Sequence, residues 1–339
     1  MNKTSKIPKI GSLEEHIFRI NNELDFTKTA IEVFYFQYHH NPLYQQYCNL
    51  VNRPPRLVQR IEDIPFLPVS FFKTHVVTTT EFEPEVIFES SGTSGSANSR
   101  HFIKSADIYR ESYLKAFRLF YGAPSDYCIL ALLPSYLEKG NSSLVYMVKG
   151  WMRESGHPAN DFYLHNYEKL AAALDASEQK QQKTLLIGVT YALLHFAALF
   201  PRQLKHTLIM ETGGMKGRMK EIVRGEVHGQ LMDAFGVAAV HSEYGMTELL
   251  SQAYAKENGG FSTPPWMKVA LRDEDDHKSI ITATDKIISG GLNVIDLANL
   301  YSCVFIATED VGRLHPDSSF EVLGRMDNTD IRGCSLLAV

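Results

Sequence analysis

The sequence predicts an α/β fold in which helices flank a mostly parallel sheet and a small β-rich subdomain follows. Two observations lead to this prediction. From residue 85 onward, short apolar runs typical of strands alternate with amphipathic stretches typical of helices, which is βαβα order. Several runs are almost entirely apolar, as in residues 128–133, and such runs are typical of parallel strands that are covered on both faces.

The first part of the chain, residues 1–80, is predicted to form a helical segment that packs on the main body. Its aromatic residues recur at helical spacing, which is typical of a stripe that faces a core. The α/β core is expected over residues 81–261 and the β-rich subdomain over residues 262–339, because predicted helices become rare in the last part. A chain of 339 residues is long enough for two domains, or for one domain with subdomains.

Each predicted element follows from a local pattern. Strands are assigned to short runs rich in apolar and β-branched residues, and helices to longer stretches with apolar residues three or four positions apart. The predicted strands cover residues 85–89, 127–133, 184–189, 207–210, 237–241, 267–271, 303–307 and 320–323. The predicted helices cover residues 106–121, 142–155, 167–178, 191–200 and 216–235.

Composition and charge exclude several classes of protein. The net charge is −5 and basic residues are scattered, so neither a nucleic-acid surface nor a polybasic membrane patch is expected. The four cysteines lie far apart, which argues against a disulfide framework or a zinc site and favours a reducing cytoplasm. The basic N-terminus leads into no apolar segment, so no secretion signal is expected. The longest apolar stretch, residues 185–200, is interrupted by polar residues, and no membrane span is predicted.

A loop rich in glycine and hydroxyl side chains lies between the first predicted strand and the first predicted helix of the core. It comprises Ser90, Ser91, Gly92, Thr93, Ser94 and Gly95, and continues to residue 98. Its glycines let backbone N–H groups converge on one point and its hydroxyls add donors, as in loops that bind phosphate. A solvated Gly/Ser linker has a similar composition, so the loop alone leaves both interpretations open.

Four further polar segments are expected just after predicted strands, at residues 211–214, 242–248, 308–313 and 324–327. In open parallel sheets, ligands bind outside the carboxyl ends of the strands. Each segment alone is compatible with an ordinary turn or surface loop. Their occurrence in this order, together with the loop, favours a ligand site.

In order and sequence, these segments resemble the motifs of the adenylate-forming superfamily, which includes acyl-CoA synthetases, firefly-type luciferases and phenylacetate-CoA ligases. Residues 90–95 are similar to its Ser/Thr/Gly-rich loop and residues 244–248 to its Tyr-Gly-x-Thr-Glu motif. Residues 324–327 are similar to its Gly-Arg-x-Asp hinge motif. The resemblance implies the large N-terminal domain of the adenylate-forming fold, ATP and Mg²⁺ as cofactors, and a loop that holds the pyrophosphate end of ATP.

The same resemblance implies a role for each candidate residue. Thr247 would contact the α-phosphate, Glu248 would bind Mg²⁺, and Asp310 would grip the ribose hydroxyls. The remaining candidates for nucleotide binding are Glu211, Gly213, Gly214, Tyr244 and Gly245 around the adenine, and Arg325 in the hinge motif. Such a set suits the chemistry, because a carboxylate that meets a phosphate needs donors and a metal to offset the charge of two anions.

The chain departs from the superfamily pattern in three places. The usual Pro-Lys after the loop is replaced by residues 98–100, so Arg100 and Lys104 are both candidates for the cation that pairs with phosphate. The ribose motif Thr-Gly-Asp occurs here with Glu309 at its centre. The sequence ends at Val339, just after the hinge motif, so the usual C-terminal lid domain, which carries a lysine, is expected to be absent.

Within the superfamily, residues 242–252 and the tail 330–335 are similar to the acyl-protein synthetases of the bacterial luciferase fatty-acid reductase complex. This resemblance implies that a fatty acid is activated as acyl-AMP and that the acyl group passes to a cysteine near the C-terminus, which is Cys334 here. A thiol on a tail beside Gly333 has the freedom to act as a carrier. A buried, unreactive Cys334 is the alternative.

The expected function is therefore ATP-dependent activation of a carboxylic acid, in particular a fatty acid, to acyl-AMP, with transfer of the acyl group to a thiol. The resemblance also implies a partner reductase that takes up the acyl group. Two alternatives stay open on the sequence. One is a ligase that uses coenzyme A or an acyl-carrier protein as acceptor, and the other is a subunit that binds a nucleotide or acyl group with little catalysis.

Overall fold

A computed structural model of the chain describes residues 10–90, 98–134, 141–213, 223–257, 259–272, 280–282 and 285–326. The chain divides into two compact units. Unit 1 comprises Met1–Glu83 and Pro265–Val339, and unit 2 comprises Pro84–Pro264. None of the described helices is long and apolar enough to cross a membrane.

The described secondary structure follows the alternation that the sequence predicts. The helices are α1 Ile10–Ile17, α2 Glu23–His40, α3 Pro42–Leu50, α4 Phe71–Thr74, α5 Ala106–Tyr121, α6 Ser143–Ser155, α7 Tyr167–Gln179, α8 Thr190–Leu199 and α9 Arg224–Phe235. The strands are β1 Leu67–Pro68, β2 Val86–Glu89, β3 Arg100–Ile103, β4 Cys128–Leu132, β5 Asp161–Tyr163, β6 Thr184–Val189, β7 Thr207–Thr212, β8 His241–Tyr244, β9 Ala253–Ala255, β10 Met267–Arg272, β11 Ile280–Ile281, β12 Ile288–Asp296, β13 Phe305–Leu314 and β14 Phe320–Arg325.

Unit 2 is built on a six-stranded sheet with the order β5-β4-β6-β7-β8-β9. The first five strands are parallel, and only β9 pairs antiparallel, with β8. Every residue of β4 and β6 is buried, so the sheet is covered on both faces there. The predicted mostly parallel sheet is confirmed, because apolar runs that are buried on both sides give a strong sequence signal.

The helices of unit 2 begin and end where the sequence supplies caps. Ser105 and Ser142 accept hydrogen bonds from the N–H groups of Asp107 and Val145 and so begin α5 and α6. The same two helices end at Gly122 and Gly156, whose φ values are +86° and +62°. Glycine adopts these backbone angles without the steric cost that a side chain brings, so each helix stops there.

Unit 1 combines the N-terminal helices with a second sheet of the order β1-β13-β12-β10-β11, in which β14 also pairs with β13. The buried amide of Gln37 on α2 donates to the carbonyls of Asn299, Leu300 and Ser302 at 3.0–3.2 Å. The ring of Phe34 lies 6.3 Å from that of Phe305. These contacts hold the N-terminal helices against the segment that contains β10–β14.

Three predicted strands differ from the structure. Residues 85–89 were expected in the parallel sheet, but β2 pairs antiparallel with β3 in a separate two-stranded sheet. Strand β8 lies at His241–Tyr244 and not at 237–241. The prediction missed its true position because the polar residues of this strand lack the usual apolar pattern. Strand β13 runs through residues 308–310, which were expected to form a loop. In β8 and β13 tertiary pairing extends a strand through polar residues, and in β2 it changes the pairing partner.

Candidate active site

The predicted site residues fall into three groups. Ser90, Glu211, Gly213, Tyr244, Gly245, Thr247 and Glu248 lie in unit 2, and Asp310 and Arg325 lie in unit 1. The others lie outside the described residues, and they are Ser91, Gly92, Thr93, Ser94, Gly95, Gly214 and Cys334. Several candidates expected in loops lie within strands, since Glu211 belongs to β7, Tyr244 to β8 and Asp310 to β13.

The predicted phosphate loop joins β2 and β3, so it connects two strands of a hairpin and not a strand and a helix. Its ends are pinned together, because Ser90 N–H donates to the Ser99 carbonyl at 3.0 Å and Ser99 N–H donates to Ser90 Oγ at 2.9 Å. Sequence reasoning missed β3, because the run Arg100–Ile103 contains two basic residues.

A buried histidine connects this hairpin to the Tyr-Gly-x-Thr-Glu segment. His101 on β3 lies with Nδ1 2.8 Å from the carbonyl oxygen of Thr247. A carbonyl can only accept, so Nδ1 carries the hydrogen. Burial lowers the pKa of His101 to about 4, although the hydrogen bond to Thr247 raises it, so the ring is neutral at physiological pH. The strand β3 therefore lies beside the Tyr-Gly-x-Thr-Glu segment, and His101, which makes this contact, was not among the predicted residues.

Strands β7 and β8 bring a second pair of predicted segments together. Glu211 lies beside Ser242 in the ladder, and Thr212 lies beside Glu243. Successive side chains of a strand point to opposite faces of the sheet. Glu211, Ser242 and Tyr244 therefore share one face, and Thr212 and Glu243 share the other.

On the first face, a polar network surrounds the buried carboxylate of Glu211. Thr190 Oγ1 donates to it at 2.7 Å, and His228 Nε2 lies 3.8 Å away. Ser242 Oγ accepts from Arg224 Nε at 3.1 Å and lies 3.1 Å from His228 Nε2. Burial raises the pKa of Glu211, but hydrogen bonds from His228, Ser242 and Thr190 outweigh it and hold the pKa below its ordinary value.

The ring of Tyr244, which lies on this first face of the sheet, has an aromatic neighbour in Phe261. Tyr244 is largely buried, and its ring centre lies 5.8 Å from that of Phe261. The guanidinium of Arg224 lies 4.6 Å from the centre of the Phe261 ring. Sequence reasoning missed Thr190, Arg224, His228 and Phe261, because an isolated polar or aromatic residue carries no motif.

On the second face, Glu243 is also buried, but its pKa moves the other way. Its pKa is raised to about 7, mainly by burial and also by the charge of Glu211, although the Thr212 hydroxyl, which donates to the carboxylate, lowers it. The carboxylate lies so close to Gly245 that a Cβ there would be 2.5 Å from Glu243 Oε1. Gly245 is therefore required for packing against this carboxylate, which joins the Tyr-Gly segment to Thr212.

Glu248 is a buried carboxylate that is 6% exposed. Among the residues that the structure describes, no group of three or more His, Cys, Asp and Glu side chains is arranged to hold a metal ion. Mg²⁺ does not need such a cluster, since it is commonly held by one or two carboxylates together with waters and substrate phosphates.

In unit 1, Asp310 is 8% exposed and its Oδ1 lies 3.6 Å from Nε of Arg325. Arg325 is mostly exposed, so this ion pair contributes little to stability. The neighbouring Glu309 pairs with Lys73 on α4 at 3.6 Å. Glu309, which stands where the superfamily has glycine, therefore pairs with Lys73 and not with the groups around the Asp310 carboxylate.

Residues 19–338 match the family model described as "Acyl-protein synthetase, LuxE". The chain belongs to this family. The membership confirms the resemblance predicted from the motifs, and it confirms the expected enzyme class, a ligase of the acyl-protein synthetase type. A relative from Vibrio harveyi, named long-chain-fatty-acid–luciferin-component ligase, is 22% identical over 329 residues, which cover 89% of this chain and 84% of the relative. A ligase of the same name from Photorhabdus luminescens is 38% identical over 69 residues, which cover 20% of this chain and 59% of the relative.

Solved structures with a similar arrangement include a long-chain-fatty-acid-CoA ligase from Archaeoglobus fulgidus, with a TM-score of 0.49 and 13% identity over 74% of this chain and 53% of that one. They also include an O-succinylbenzoate coenzyme A synthetase from Bacillus subtilis in complex with AMP, with a TM-score of 0.47 and 15% identity over 70% of this chain and 49% of that one. The acyl-protein synthetase chain thus spans about half the length of these solved structures.

Proposed function

We propose that this acyl-protein synthetase uses ATP to activate a carboxylic acid, in particular a fatty acid, as acyl-AMP, and then transfers the acyl group to its own Cys334. The observation that carries the proposal is the family match over residues 19–338. In the first step the carboxylate oxygen bonds to the α-phosphorus and pyrophosphate leaves. In the second step the Cys334 thiolate bonds to the acyl carbon and AMP leaves, which produces a thioester.

The residue types at the predicted positions suit ATP and Mg²⁺. The loop from Ser90 to Gly95 would hold the pyrophosphate end, Thr247 the α-phosphate and Tyr244 the adenine, while Asp310 would grip the ribose hydroxyls. Glu248 would hold Mg²⁺, which offsets the charge of the phosphates when it is bound. A buried single carboxylate is a suitable donor for such an ion.

The chain's own groups support this assignment. His101 donates its Nδ1 hydrogen to the Thr247 carbonyl at 2.8 Å, so the segment that would contact the α-phosphate is held beside the hairpin that carries the phosphate loop. Because His101 is neutral, it orients this backbone without adding a charge that would change with pH near 7. Preorganised donors of this kind stabilise charge that develops during reaction.

The other cysteines support Cys334 as the acceptor. Cys48, Cys128 and Cys303 are fully buried. Burial raises the pKa of Cys48 to about 12 and raises the pKa values of Cys128 and Cys303 as well. The thiolate is the nucleophile, so none of these three is suited to attack an acyl-adenylate at neutral pH. We propose an acyl-accepting reductase as the partner that receives the acyl group from Cys334.

An acid-panel assay of pyrophosphate exchange into ATP tests the activation step, with fatty acids of different length and aromatic acids as substrates. Radiolabelled fatty acid tests the transfer step. Cys334→Ser should keep the exchange and lose the hydroxylamine-labile label, whereas the control Cys128→Ala should keep both. A Cys334→Ser protein that labels like the parent would exclude the carrier role.

The same assays separate the alternatives. Thioester formation on free coenzyme A by Cys334→Ser would indicate a ligase with coenzyme A as acceptor. Tight ATP binding without exchange for any acid would indicate a nucleotide-binding subunit.

A further inference from the structure

The backbone ladder between β12 and β13 is interrupted beside Asp310. The two strands pair on both sides of Leu292, but their register shifts there, so Leu292 alone lies opposite residues 308–310. Such a bulge re-aims side chains and is common next to functional sites. It also removes ladder partners from backbone groups, and buried backbone groups need other partners.

The guanidinium of Arg272, at the end of β10, supplies these partners. Nη1 donates to the Leu292 carbonyl at 2.8 Å and to Asn293 Oδ1 at 2.9 Å. Nη2 donates to the Thr308 carbonyl at 2.6 Å and lies 3.3 Å from the sulfur of Met326. One side chain therefore binds carbonyls from both strands of the interrupted ladder.

The Thr308 hydroxyl extends this hold to Asp310. Thr308 Oγ1 donates to the same Leu292 carbonyl at 2.8 Å and accepts from Asp310 N–H at 3.1 Å. Met326 N–H donates to the Glu309 carbonyl at 2.8 Å. The backbone on both sides of the Asp310 carboxylate is thus fixed by groups that Arg272 contacts.

Gly291 provides the space for this arrangement. A Cβ at Gly291 would lie 2.5 Å from Arg272 Cζ and 2.6 Å from Met326 Cε. Real Cβ atoms are almost never this close to other atoms, so the guanidinium and the thioether occupy the volume that a side chain would need. A methyl group at this position would displace the guanidinium while leaving its chemistry unchanged.

We propose that Arg272 is a positioning residue for nucleotide binding, and that its guanidinium sets the bulge that presents Asp310 to the ribose diol. The proposal rests on the proposed function, because it uses Asp310 as the ribose ligand. A planar guanidinium with donors in fixed directions is needed to bind two carbonyls and an amide oxygen together. The single ammonium of lysine offers no such geometry.

Equilibrium binding of ATP and 2′-deoxy-ATP tests this role, since the second nucleotide lacks one of the hydroxyls that Asp310 would bind. The variants are Arg272→Lys on β10, Gly291→Ala on β12 and Asp310→Asn on β13, with Arg313→Lys on β13 as the matched control. Arg313 is half exposed and pairs with Glu321 at 3.7 Å. Hydrogen exchange of peptides covering β13 and Met326 reports the bulge without any ligand.

Arg272→Lys and Gly291→Ala should lower the preference for ATP over 2′-deoxy-ATP by about tenfold, the factor for roughly one charged hydrogen bond. The preference should approach that of Asp310→Asn, and exchange should accelerate in β13. Arg313→Lys should keep the parent preference. Equal weakening of both nucleotides by Arg272→Lys would overturn the proposal. A parent protein that binds neither nucleotide would instead refute the proposed function. In that case, hydrogen exchange in β13 that is the same in Arg272→Lys as in the parent would exclude the role of Arg272 independently of any nucleotide.

Discussion

Glu243→Gln should remove a pH-dependent loss of stability. The carboxyl of Glu243 is buried, and its pKa is raised from 4.5 to about 7 in the folded protein, with burial as the main cause. Glutamine keeps the size of the side chain and an oxygen that can accept from Thr212, which donates to this carboxylate. The substitution therefore removes the charge and leaves the packing against Gly245 nearly unchanged.

The expected magnitude follows from linkage between protonation and folding. Below pH 4.5 the carboxyl is protonated in both states and costs nothing. Between pH 4.5 and 7 the unfolded chain loses this proton while the folded protein keeps it, so the free energy of unfolding falls as pH rises. One pKa unit corresponds to about 1.4 kcal/mol, so the folded parent loses about 3 kcal/mol by pH 8 through this group.

Urea denaturation of the parent and of Glu243→Gln at pH 4.5 and pH 8 measures this difference, with free energies from linear extrapolation. Relative to the parent, the variant should gain about 3 kcal/mol at pH 8 compared with its value at pH 4.5. Glu168→Gln, on the exposed face of α7, is the control and should show no such change. An equal effect of Glu243→Gln at both pH values would refute the assignment of a raised pKa to this carboxyl.

Three further predictions concern the site and its support. His101→Phe should reduce pyrophosphate exchange at least severalfold and lower the free energy of unfolding by about 1–3 kcal/mol, because the Thr247 carbonyl loses its buried donor. Exchange kinetics and denaturation measure these two effects. An unchanged rate of pyrophosphate exchange would contradict the role of this hydrogen bond. Phe261→Leu should raise the KM for ATP more than it lowers kcat, because the ring that supports Tyr244 is lost, while Phe261→Tyr should retain the parent KM; steady-state kinetics at varied ATP decide this. Gln37→Leu should lower the free energy of unfolding by about 3 kcal/mol or more, because several buried carbonyls lose their donor. A change below about 1 kcal/mol on denaturation would contradict the role of these bonds in packing α2 against residues 299–302.

Sequence reasoning succeeds where a local pattern carries the physical cause. The strands β4 and β6 are recognisable because both of their faces are buried and every residue is apolar or small. Helix α5 is recognisable in full, because Ser105 begins it and Gly122 ends it. The family resemblance is likewise carried by contiguous residues, with the segment Tyr244–Glu248 as its clearest part.

Sequence reasoning fails where the cause lies in another part of the chain. Strand β8 contains the buried residues Ser242 and Glu243, which bind Thr212, His228 and Arg224 from other elements. A single sequence gives no sign that these groups meet. The sequence likewise gives no sign that His101 meets Thr247, because a single histidine in the run Arg100–Ile103 belongs to no motif.

Residues 308–310 show how the structure can accommodate a departure from a family pattern. Glu309 stands where the superfamily has glycine, and the sequence alone left its effect on the motif open. In the structure the side chain of Glu309 reaches Lys73, while its carbonyl accepts from Met326 N–H. The bulge that holds Asp310 depends on contacts to the backbone of residues 308–310, and a backbone contact can tolerate a change of side chain. Arg272 and Gly291 are therefore more constrained than the central residue of the motif, because their contacts depend on the shape of one guanidinium and on the absence of a Cβ.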